Sequence, residues 1–258
     1  MLVYQYDGTL EGFFCCVFES VYRKERPEAV EPEGAAQCRL FPPKFIATDP
    51  AHAERVRAAI PAKISPEALD LTETVFCSCL EDKETRLLYF LLRGFKSGGD
   101  FLKAGFSDAE LSVLLGARRR LMGEAHLLKG FIRFADVGGS LVATITPKNY
   151  VLPFIAGHFA TRYRNENFLI FDKTNKVALL HENRRARIIA ADNIEFPAFS
   201  EQEEQYRALW KRFYKVVSIE ARKNHRCRMT HCPKRYWENM LEMEEDDAPR
   251  LEFPQKTQ

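Results

Sequence analysis

The spacing of apolar residues in the first half of the chain predicts a mainly helical structure. Residues 2–7 alternate weakly between apolar and polar side chains and predict one strand, and two prolines in 40–48 favour an extended segment. Most other apolar positions recur at helical spacing, and a helix that begins at Ser65 is predicted to continue to residue 95. Four helix starts carry a capping residue: Thr9, Thr48 or Asp49, Ser65, and the Ser-x-x-Glu capping box at Ser107.

From Gly130 the apolar pattern changes to a period of two, which is typical of strands. The predicted order is β-β-α-β-β, and this order favours an antiparallel sheet over a doubly wound parallel one. The four strands are predicted at 130–137, 140–146, 167–172 and 176–182, and the helix between them at 150–164. A last amphipathic helix is predicted at 200–223.

These elements predict an α+β fold with a helical N-terminal part, a central antiparallel sheet and a basic C-terminal helical segment. The mainly helical part covers 1–129, and the sheet part covers 130–195. The basic C-terminal helices, with an acidic tail, cover 196–258. We expect the three parts to form a single unit over 1–258.

The composition indicates a globular protein without a membrane span. Hydrophobic residues make up 46% and charged residues 29% of the chain, and no apolar run is long enough for a transmembrane helix. The first residues lack a basic lead and reach an acid at Asp7, so no signal peptide is predicted. The seven cysteines do not follow the pattern of a disulfide framework, which favours a reducing compartment. The predicted location is the cytoplasm.

Charge is strongly segregated near the C-terminal end of the chain. Between Arg207 and Arg235 there are ten Lys/Arg and one acid, and six acids follow between Glu238 and Asp247. Within the predicted helix at 200–223, the cations Arg207, Lys211, Lys215 and Arg222 form a stripe beside an apolar stripe. Segregation of this kind indicates an anionic partner, or an acidic tail that covers the basic surface.

The segment KNHRCRMTHCPKRYW, at 223–237, supports three interpretations. His225, Cys227, His231 and Cys232 could supply metal ligands, but their spacing is not that of a known zinc module, so we predict no required metal site. Alternatively, its Lys and Arg residues neutralise phosphate while Tyr236 or Trp237 stacks on a base. In the third interpretation the two aromatic residues anchor a solvated tail onto the core.

Two further groups of polar residues are candidates for chemistry. His158 and Arg162 are spaced to share a helix face, and with Asp172 they could orient a general base. The alternative is helix capping and ion pairing, and no nucleophile motif accompanies them. Arg133, on a predicted strand, could contact phosphate, or it could form an ion pair with the helix that carries Glu124.

Three stretches together resemble a known family of proteins. They are YDGTLEGFFCCVFESVY at the N-terminus, GEAHLLKGFIRF in the centre and PKRYW near the C-terminus, so the resemblance covers almost the whole chain. The family is described as DNA metabolism or DNA repair proteins with a domain of unknown function. Its genomic partner is a radical S-adenosylmethionine protein of DNA modification or repair, and a related domain is fused to uracil-DNA-glycosylase-like domains. Thr174 and Asn175 depart from the family pattern, which has basic residues there.

The resemblance and the charge pattern together predict a DNA-binding accessory protein that acts with the radical S-adenosylmethionine partner in DNA repair or modification. The alternatives are an enzyme acting on a damaged base or on the DNA backbone, glycosylase-like or nuclease-like, and a protein-interaction scaffold. The sequence does not decide whether the chain catalyses a reaction, and it predicts no cofactor of its own. The predicted nucleic-acid-binding residues are Arg133, Arg162, Arg207, Lys211, Lys215, Arg222, Lys234, Arg235 and Tyr236.

Overall fold

The computed structural model describes residues 2–34, 42–194, 196–219, 222 and 224–243. The described chain has an α+β fold, which confirms the predicted class. It divides into two compact units, of which the first comprises Met1–His126 and Lys148–Phe154, and the second Leu127–Pro147 and Ile155–Gln258. None of the helices in the described ranges is long and apolar enough to cross a membrane.

The first unit combines a small parallel sheet with packed helices. Its elements are β1 (Val3–Tyr6), α1 (Leu10–Arg23), β2 (Ala29–Pro32), β3 (Lys44–Phe45), α2 (Pro50–Lys63), α3 (Pro66–Phe76) and α4 (Lys83–Ser97), followed by a 3₁₀ segment (Asp100–Ser107) and the larger part of α5 (Ala109–Phe131). Strand β1 is central and pairs in parallel with β2 and β3. The core lies between this sheet and the helices, where Phe13, Leu88 and Leu91 are almost fully buried.

The helix starts in the first unit follow the predicted capping chemistry with one exception. Thr9 and Ser65 cap α1 and α3 as predicted, each accepting a backbone N–H from the first turn. Asp49, one of the two predicted alternatives, caps α2. At α5 the predicted Ser107 is wrong, because the Asp108 carboxylate accepts the Leu111 N–H at 2.9 Å and the helix begins one residue later.

The long helix predicted from Ser65 to residue 95 is interrupted, which corrects the prediction. Helix α3 ends at Phe76 and α4 begins at Lys83. Asp82, immediately before α4, has a φ of 53°, in the left-handed region. The Lys83 ammonium donates to the carbonyls of Phe76 (2.6 Å) and Ser78 (3.1 Å), so it satisfies acceptors that the end of α3 leaves without helical partners.

The YDGT sequence forms a turn at the end of β1, as its residue types indicate. Asp7 accepts hydrogen bonds from the Thr9 N–H and hydroxyl (2.9 and 2.7 Å) and from the Thr48 hydroxyl (2.7 Å). Gly8 has a φ of 81°, a conformation that glycine adopts without strain. A Cβ on Gly12 would lie 2.2 Å from Asp7 Oδ1, so only glycine lets α1 approach this turn so closely.

Glu124 is a buried anchor for the segment 148–154. The residue is 3% exposed, and its carboxylate accepts the backbone N–H groups of Lys148 (3.1 Å) and Asn149 (2.9 Å). The Asn149 amide also donates to it at 2.5 Å, while Asn149 Oδ1 accepts the Cys79 N–H at 3.0 Å. Since a buried carboxylate without donors is costly, this network fixes the segment in the first unit.

The second unit is built on a five-stranded sheet. Its elements after α5 are β4 (Ala135–Val137), β5 (Ser140–Ile145), α6 (Leu152–Arg162), β6 (Phe168–Asp172), β7 (Val177–Glu182), β8 (Arg185–Ala190), α7 (Glu201–Val217) and α8 (His225–His231), with 3₁₀ segments at Lys234–Asn239 and Leu241–Met243. The strands lie in the order β4-β5-β6-β7-β8.

The predicted β-β-α-β-β order is present, but the sheet is mixed rather than wholly antiparallel. Strands β5 and β6 pair in parallel, and the other three pairings are antiparallel. The reason is topological, because α6 carries the chain between β5 and β6, and such a crossover starts the second strand at the same end as the first. The predicted first strand at 130–137 is also too long, since α5 continues to Phe131 and β4 begins only at Ala135.

Burial of one carboxyl group in the first unit generates a prediction about stability and pH. Glu84 is 8% exposed, and its Oε1 accepts the Tyr6 hydroxyl at 3.3 Å. Burial raises the pKa of Glu84 above its ordinary value. The folded state therefore holds the proton more tightly than the unfolded state, and the free energy of unfolding falls as the pH rises from the ordinary pKa of about 4.3 through the raised folded-state pKa.

Replacement Glu84→Gln keeps an oxygen acceptor for Tyr6 and removes the charge. We expect the variant to be more stable than the wild type above this pH window, with the difference disappearing as the pH falls to about 4. Urea unfolding at a series of pH values measures this. Glu81→Gln, at an exposed position, is the matched control. A wild-type pH dependence that the Glu84 variant retains unchanged would contradict the assignment.

Candidate nucleic-acid interface

The candidate interface is centred on helix α7 in the second unit. The Ser200 hydroxyl accepts the Glu203 N–H at 3.2 Å and caps the helix, and the acids of the first turn suit its dipole. The predicted cations Arg207, Lys211 and Lys215 follow at intervals of four residues, which places them on one side of the helix. Lys215 is exposed and the other two are partly buried. The helix predicted at 200–223 is too long, because the backbone is extended at Ser218 and α7 ends at Val217, so the fourth cation of the predicted stripe, Arg222, does not lie on α7.

An apolar groove of about 790 Å³ lies beside α7, within the second unit. The helix wall carries the side chains of Tyr206, Leu209, Trp210 and Phe213. The opposite wall comes from β4 and β5 and includes Ala135 and Val142. Arg207 also lines the groove, with its guanidinium 4.5 Å from the ring centroid of Phe199.

The apolar stripe of α7 remains largely exposed to solvent. Tyr206 is 60% exposed, Phe213 57%, Leu209 59% and Trp210 39%. An amphipathic helix normally buries this side against its own core, so a stripe of this size marks an interaction surface. The sequence reveals the stripe but not its exposure, because the same periodicity is typical of a packed helix.

The Glu242 carboxylate links two segments that line the groove, the connection before β4 and helix α7. Its side chain is 4% exposed and accepts hydrogen bonds from Arg133 Nη2 (2.6 Å), Arg133 Nε (3.2 Å) and Trp210 Nε1 (3.1 Å). Burial alone would raise the pKa of Glu242, but these donors and a backbone N–H outweigh it and lower that pKa below the ordinary value. The carboxylate thereby joins Leu241–Met243 to α7 and to the connection before β4.

The structure corrects the predicted position of Arg133. It lies in the connection between α5 and β4 rather than on a strand, because the helix extends further than predicted. Its side chain is 30% exposed and is engaged by Glu242, the Gly130 carbonyl (2.9 Å) and the ring of Trp210 (5.7 Å). The ion-pair interpretation is therefore the better one, although the partner is Glu242 and not Glu124.

Within the PKRYW motif the structure separates surface residues from buried ones. Lys234 and Arg235 are exposed, as a phosphate contact requires. Tyr236 is only 2% exposed, and its ring lies 5.9 Å from that of Phe131, so it is an anchor and offers no free face to a base. Trp237 Nε1 donates to the Cys232 carbonyl at 2.9 Å, which fits the predicted anchoring of this aromatic pair.

His158 and Asp172 have different environments. His158 is exposed, and partial desolvation together with the cations Lys129 and Arg162 lowers its pKa. Asp172 is fully buried, and its carboxylate accepts the backbone N–H groups of Thr174 and Asn175, both at 3.0 Å, as well as the Asn175 amide at 2.7 Å. The carboxylate is thus used by its own hairpin turn, as the capping interpretation predicts.

The remaining predicted cations lie apart from the groove lining. Arg162 ends α6 at an exposed position, four residues after His158, and its guanidinium lies 5.8 Å from the Tyr163 ring. Arg222 is exposed, and its backbone N–H donates to the Ile219 carbonyl at 2.9 Å. Neither residue is among those that line the groove beside α7.

The Cys/His cluster does not converge in the part that is described. Cys227 and His231 are exposed, with Sγ and Nδ1 3.6 Å apart, while Cys232 is buried with its sulfur 3.5 Å from that of Met240. Three parts of the chain lie outside the described residues: the side chain of His225, Cys38, and the acidic residues after Met243. Within the described ranges, no three His, Cys, Asp or Glu side chains lie close enough together to hold a metal ion.

The residue that the sequence did not identify is Glu242. In the sequence it belongs to the run of six acids, which is interpreted as an acidic tail that could cover the basic surface. In the structure it is the most engaged carboxylate of the interface, with donors 109 and 32 residues away in the chain. Only the apolar residues on either side of it, Leu241 and Met243, could have indicated burial.

The Glu242 network generates a second prediction. We expect Glu242→Gln to lower the free energy of unfolding at neutral pH by about 1–3 kcal/mol, because hydrogen bonds to charged groups are lost. The contribution of the carboxylate is present above the ordinary pKa of about 4.3 and is lost as the pH falls through the lower folded-state pKa, so the deficit should shrink in acid. Glu238→Gln, at an exposed acid on the neighbouring 3₁₀ segment, is the control. Equal stability of both variants at pH 7, measured by urea unfolding, would contradict the prediction.

The comparisons with known proteins identify a family. No curated protein and no solved structure gives a significant match. A family model described as a domain of unknown function, DUF4130, matches residues 81–242. The matched range contains α4, both walls of the groove, the PKRYW motif and Glu242. Since this range is more than half of the chain, the protein belongs to the DUF4130 family.

Proposed function

We propose that this chain is a DNA-binding accessory protein in DNA repair or modification and that it acts with a radical S-adenosylmethionine partner. The observation that carries the proposal is the set of cations on α7, Arg207, Lys211 and Lys215, together with an exposed aromatic groove that Arg207 also lines. Repeated cations on one helix side match the repeated phosphates of a nucleic-acid backbone. Lys234 and Arg235, exposed in the same unit, add to the positive surface.

The chemistry of these cations supports backbone binding more than sequence recognition. Lys and Arg that neutralise phosphates contribute affinity and orientation but no information about base sequence. An accessory protein that brings DNA to a catalytic partner needs this kind of binding.

The radical S-adenosylmethionine partner enters the proposal through the family resemblance alone. If the two proteins act together, the purified chain should form a complex with that partner, and DNA should strengthen or bridge the complex. Pull-down of the purified partner, with and without damaged DNA, tests this part separately from DNA binding.

The alternative of an enzyme in its own right has less support. His158 is an exposed imidazole, and the Asp172 carboxylate is occupied by its own turn, so neither is arranged as a general base with an orienting partner. The alternative is therefore an outcome of the tests and not a second proposal.

The third prediction concerns the salt dependence of DNA binding. We expect the affinity for DNA to fall steeply with salt, with a log–log slope of about −0.9 for each phosphate contacted on duplex and about −0.7 on single strands. Fluorescence anisotropy with labelled DNA over a range of KCl concentrations measures the slope. Lys234→Ala with Arg235→Ala should weaken binding to all sequences alike and make the slope shallower.

Lys63→Ala is a matched control, because Lys63 is an exposed lysine of the first unit. Its slope should equal that of the wild type. DNA binding that is absent at low salt, or that does not change with salt, contradicts the proposed function.

The fourth prediction separates an accessory role from catalysis. For an accessory protein, His158→Ala should leave DNA binding and the activity of the reconstituted pair unchanged. Loss of a general acid or base would instead lower turnover by about 10²–10⁴-fold while DNA binding persists. Asp172→Asn is not a clean probe, because it alters the hydrogen bonds of the turn at Thr174 and Asn175. Turnover and binding are therefore compared for His158→Ala, after circular dichroism has established its fold.

A further inference from the structure

We propose that the groove beside α7 binds a single strand of DNA and that unpaired bases stack on Tyr206, Trp210 and Phe213. The inference rests on the proposed DNA binding and goes further by naming the form of DNA and the residues that select it. The observation that carries it is an exposed row of aromatic rings on α7 together with Arg207, a cation that lines the same groove.

The aromatic rings follow one another along the axis of α7 at short intervals. Residues 206, 210 and 213 lie on one side of the helix, and the axial rise between them is about 6 Å and then about 4.5 Å. Arg207, one turn before Trp210, lines the same groove, whereas Lys211 and Lys215 lie progressively further round the helix and do not line it. A strand that lies along the groove can therefore place its bases on the rings and a phosphate on Arg207.

The central ring is held in place before any ligand arrives. Trp210 Nε1 donates to Glu242, Arg133 lies 5.7 Å from the ring, and the centroid of Phe213 is 5.9 Å from that of Trp210 with an interplanar angle of 33°. Trp210 still remains 39% exposed. A ring that is fixed on one side and open on the other costs little conformational entropy when it binds a base.

The acids that line the groove do not oppose a polyanion with free charge. The Glu203 carboxylate is buried and accepts the Asp136 N–H at 3.1 Å. Glu238, which is exposed, lies 3.9 Å from the ammonium of Lys173. The groove therefore combines apolar walls, two acids that already have a hydrogen-bond or ion-pair partner, and the partly buried cation Arg207.

A single strand suits these features better than a duplex or a protein helix. The faces of duplex bases are stacked on one another and unavailable to a ring, so a duplex would use the cations and leave the aromatic row exposed. A partner helix with acidic flanks could also cover the groove, but its apolar side needs no aromatic residues in particular. Of the six α7 residues that line the groove, three are aromatic and Leu209 is the other apolar one, and this favours stacking.

The experiment compares single-stranded and duplex DNA with the full chain. Fluorescence anisotropy is measured with labelled oligothymidylate and with a duplex of the same length, at the same salt concentration. We expect tighter binding of the single strand, and we expect Tyr206→Ala and Phe213→Ala each to lower its affinity about five- to hundredfold, the range for loss of one stacked base. Duplex affinity should change by less than about twofold, because the phosphate contacts are retained.

Two kinds of control separate stacking from folding. Tyr206→Phe keeps the ring and should restore single-strand binding. Tyr22→Ala removes a ring that is 74% exposed in the first unit, and Val216→Ala trims a side chain on α7 that is 77% exposed and does not line the groove. Both should bind like the wild type. Trp210→Ala is left out, because it also removes a donor from Glu242.

The outcomes distinguish this inference from the proposed function. Equal affinity for the two DNA forms, or ring variants that bind the single strand like the wild type, overturns the stacking inference while salt-dependent DNA binding stands. Ring variants that keep DNA binding but lose the radical S-adenosylmethionine partner assign the groove to a protein and also overturn it. A wild-type chain without any DNA binding at low salt overturns the proposed function itself.

Discussion

The candidate interface depends on the burial of one carboxylate, that of Glu242. A buried charge is tolerated only when donors surround it, and here Arg133 and Trp210 supply them. Because these donors come from the connection before β4 and from α7, satisfying the charge fixes three segments of the second unit at once. The groove and the orientation of its central ring follow from this arrangement, so the surface proposed to bind DNA is a consequence of a buried ion pair.

Helix α7 is held mainly by polar contacts, and its apolar side is left exposed. Glu203 and Trp210 attach it through hydrogen bonds to Asp136 and Glu242. Burying the exposed rings of α7 against the chain's own core would contribute more to stability, at about 25 cal/mol for each Å² removed from water. The fold forgoes this contribution, which is expected where a surface is kept available for a ligand.

The sequence predicted several elements whose signal is local, although the cap at Ser107 and the unbroken helix from Ser65 to residue 95 were wrong. The caps at Thr9 and Ser65 and the order of strands around α6 depend on neighbouring residues, and the structure confirms them. The parallel pairing of β5 with β6 depends on where a crossover ends in space, which periodicity does not reveal. Strand β8 was not predicted because most of its residues are exposed, so its pattern lacks alternation. Its hairpin signal, Asn183 and Arg184 at positive φ, is weak without glycine.

For the candidate site, the sequence predicted the positions of the cations and of the apolar stripe on α7, but not the exposure of that stripe or the contacts of the buried residues. The cations of α7 could be predicted from the sequence because helical spacing alone places them on one side of a helix. The partner of Arg133 could not be inferred, because Glu242 lies 109 residues away in the chain. The sequence likewise does not reveal which carboxylates are buried or which donors they accept from. Those of Glu124, Asp172 and Glu242 are buried and occupied by backbone or side-chain donors, which for Asp172 favours capping over the catalytic role that the sequence also left open. A carboxylate that already accepts two or three hydrogen bonds has little basicity left for removing a proton from a substrate. These buried acids therefore serve the architecture of the fold, and the surface proposed to bind DNA combines the exposed aromatic rings of α7 with cations of the same unit.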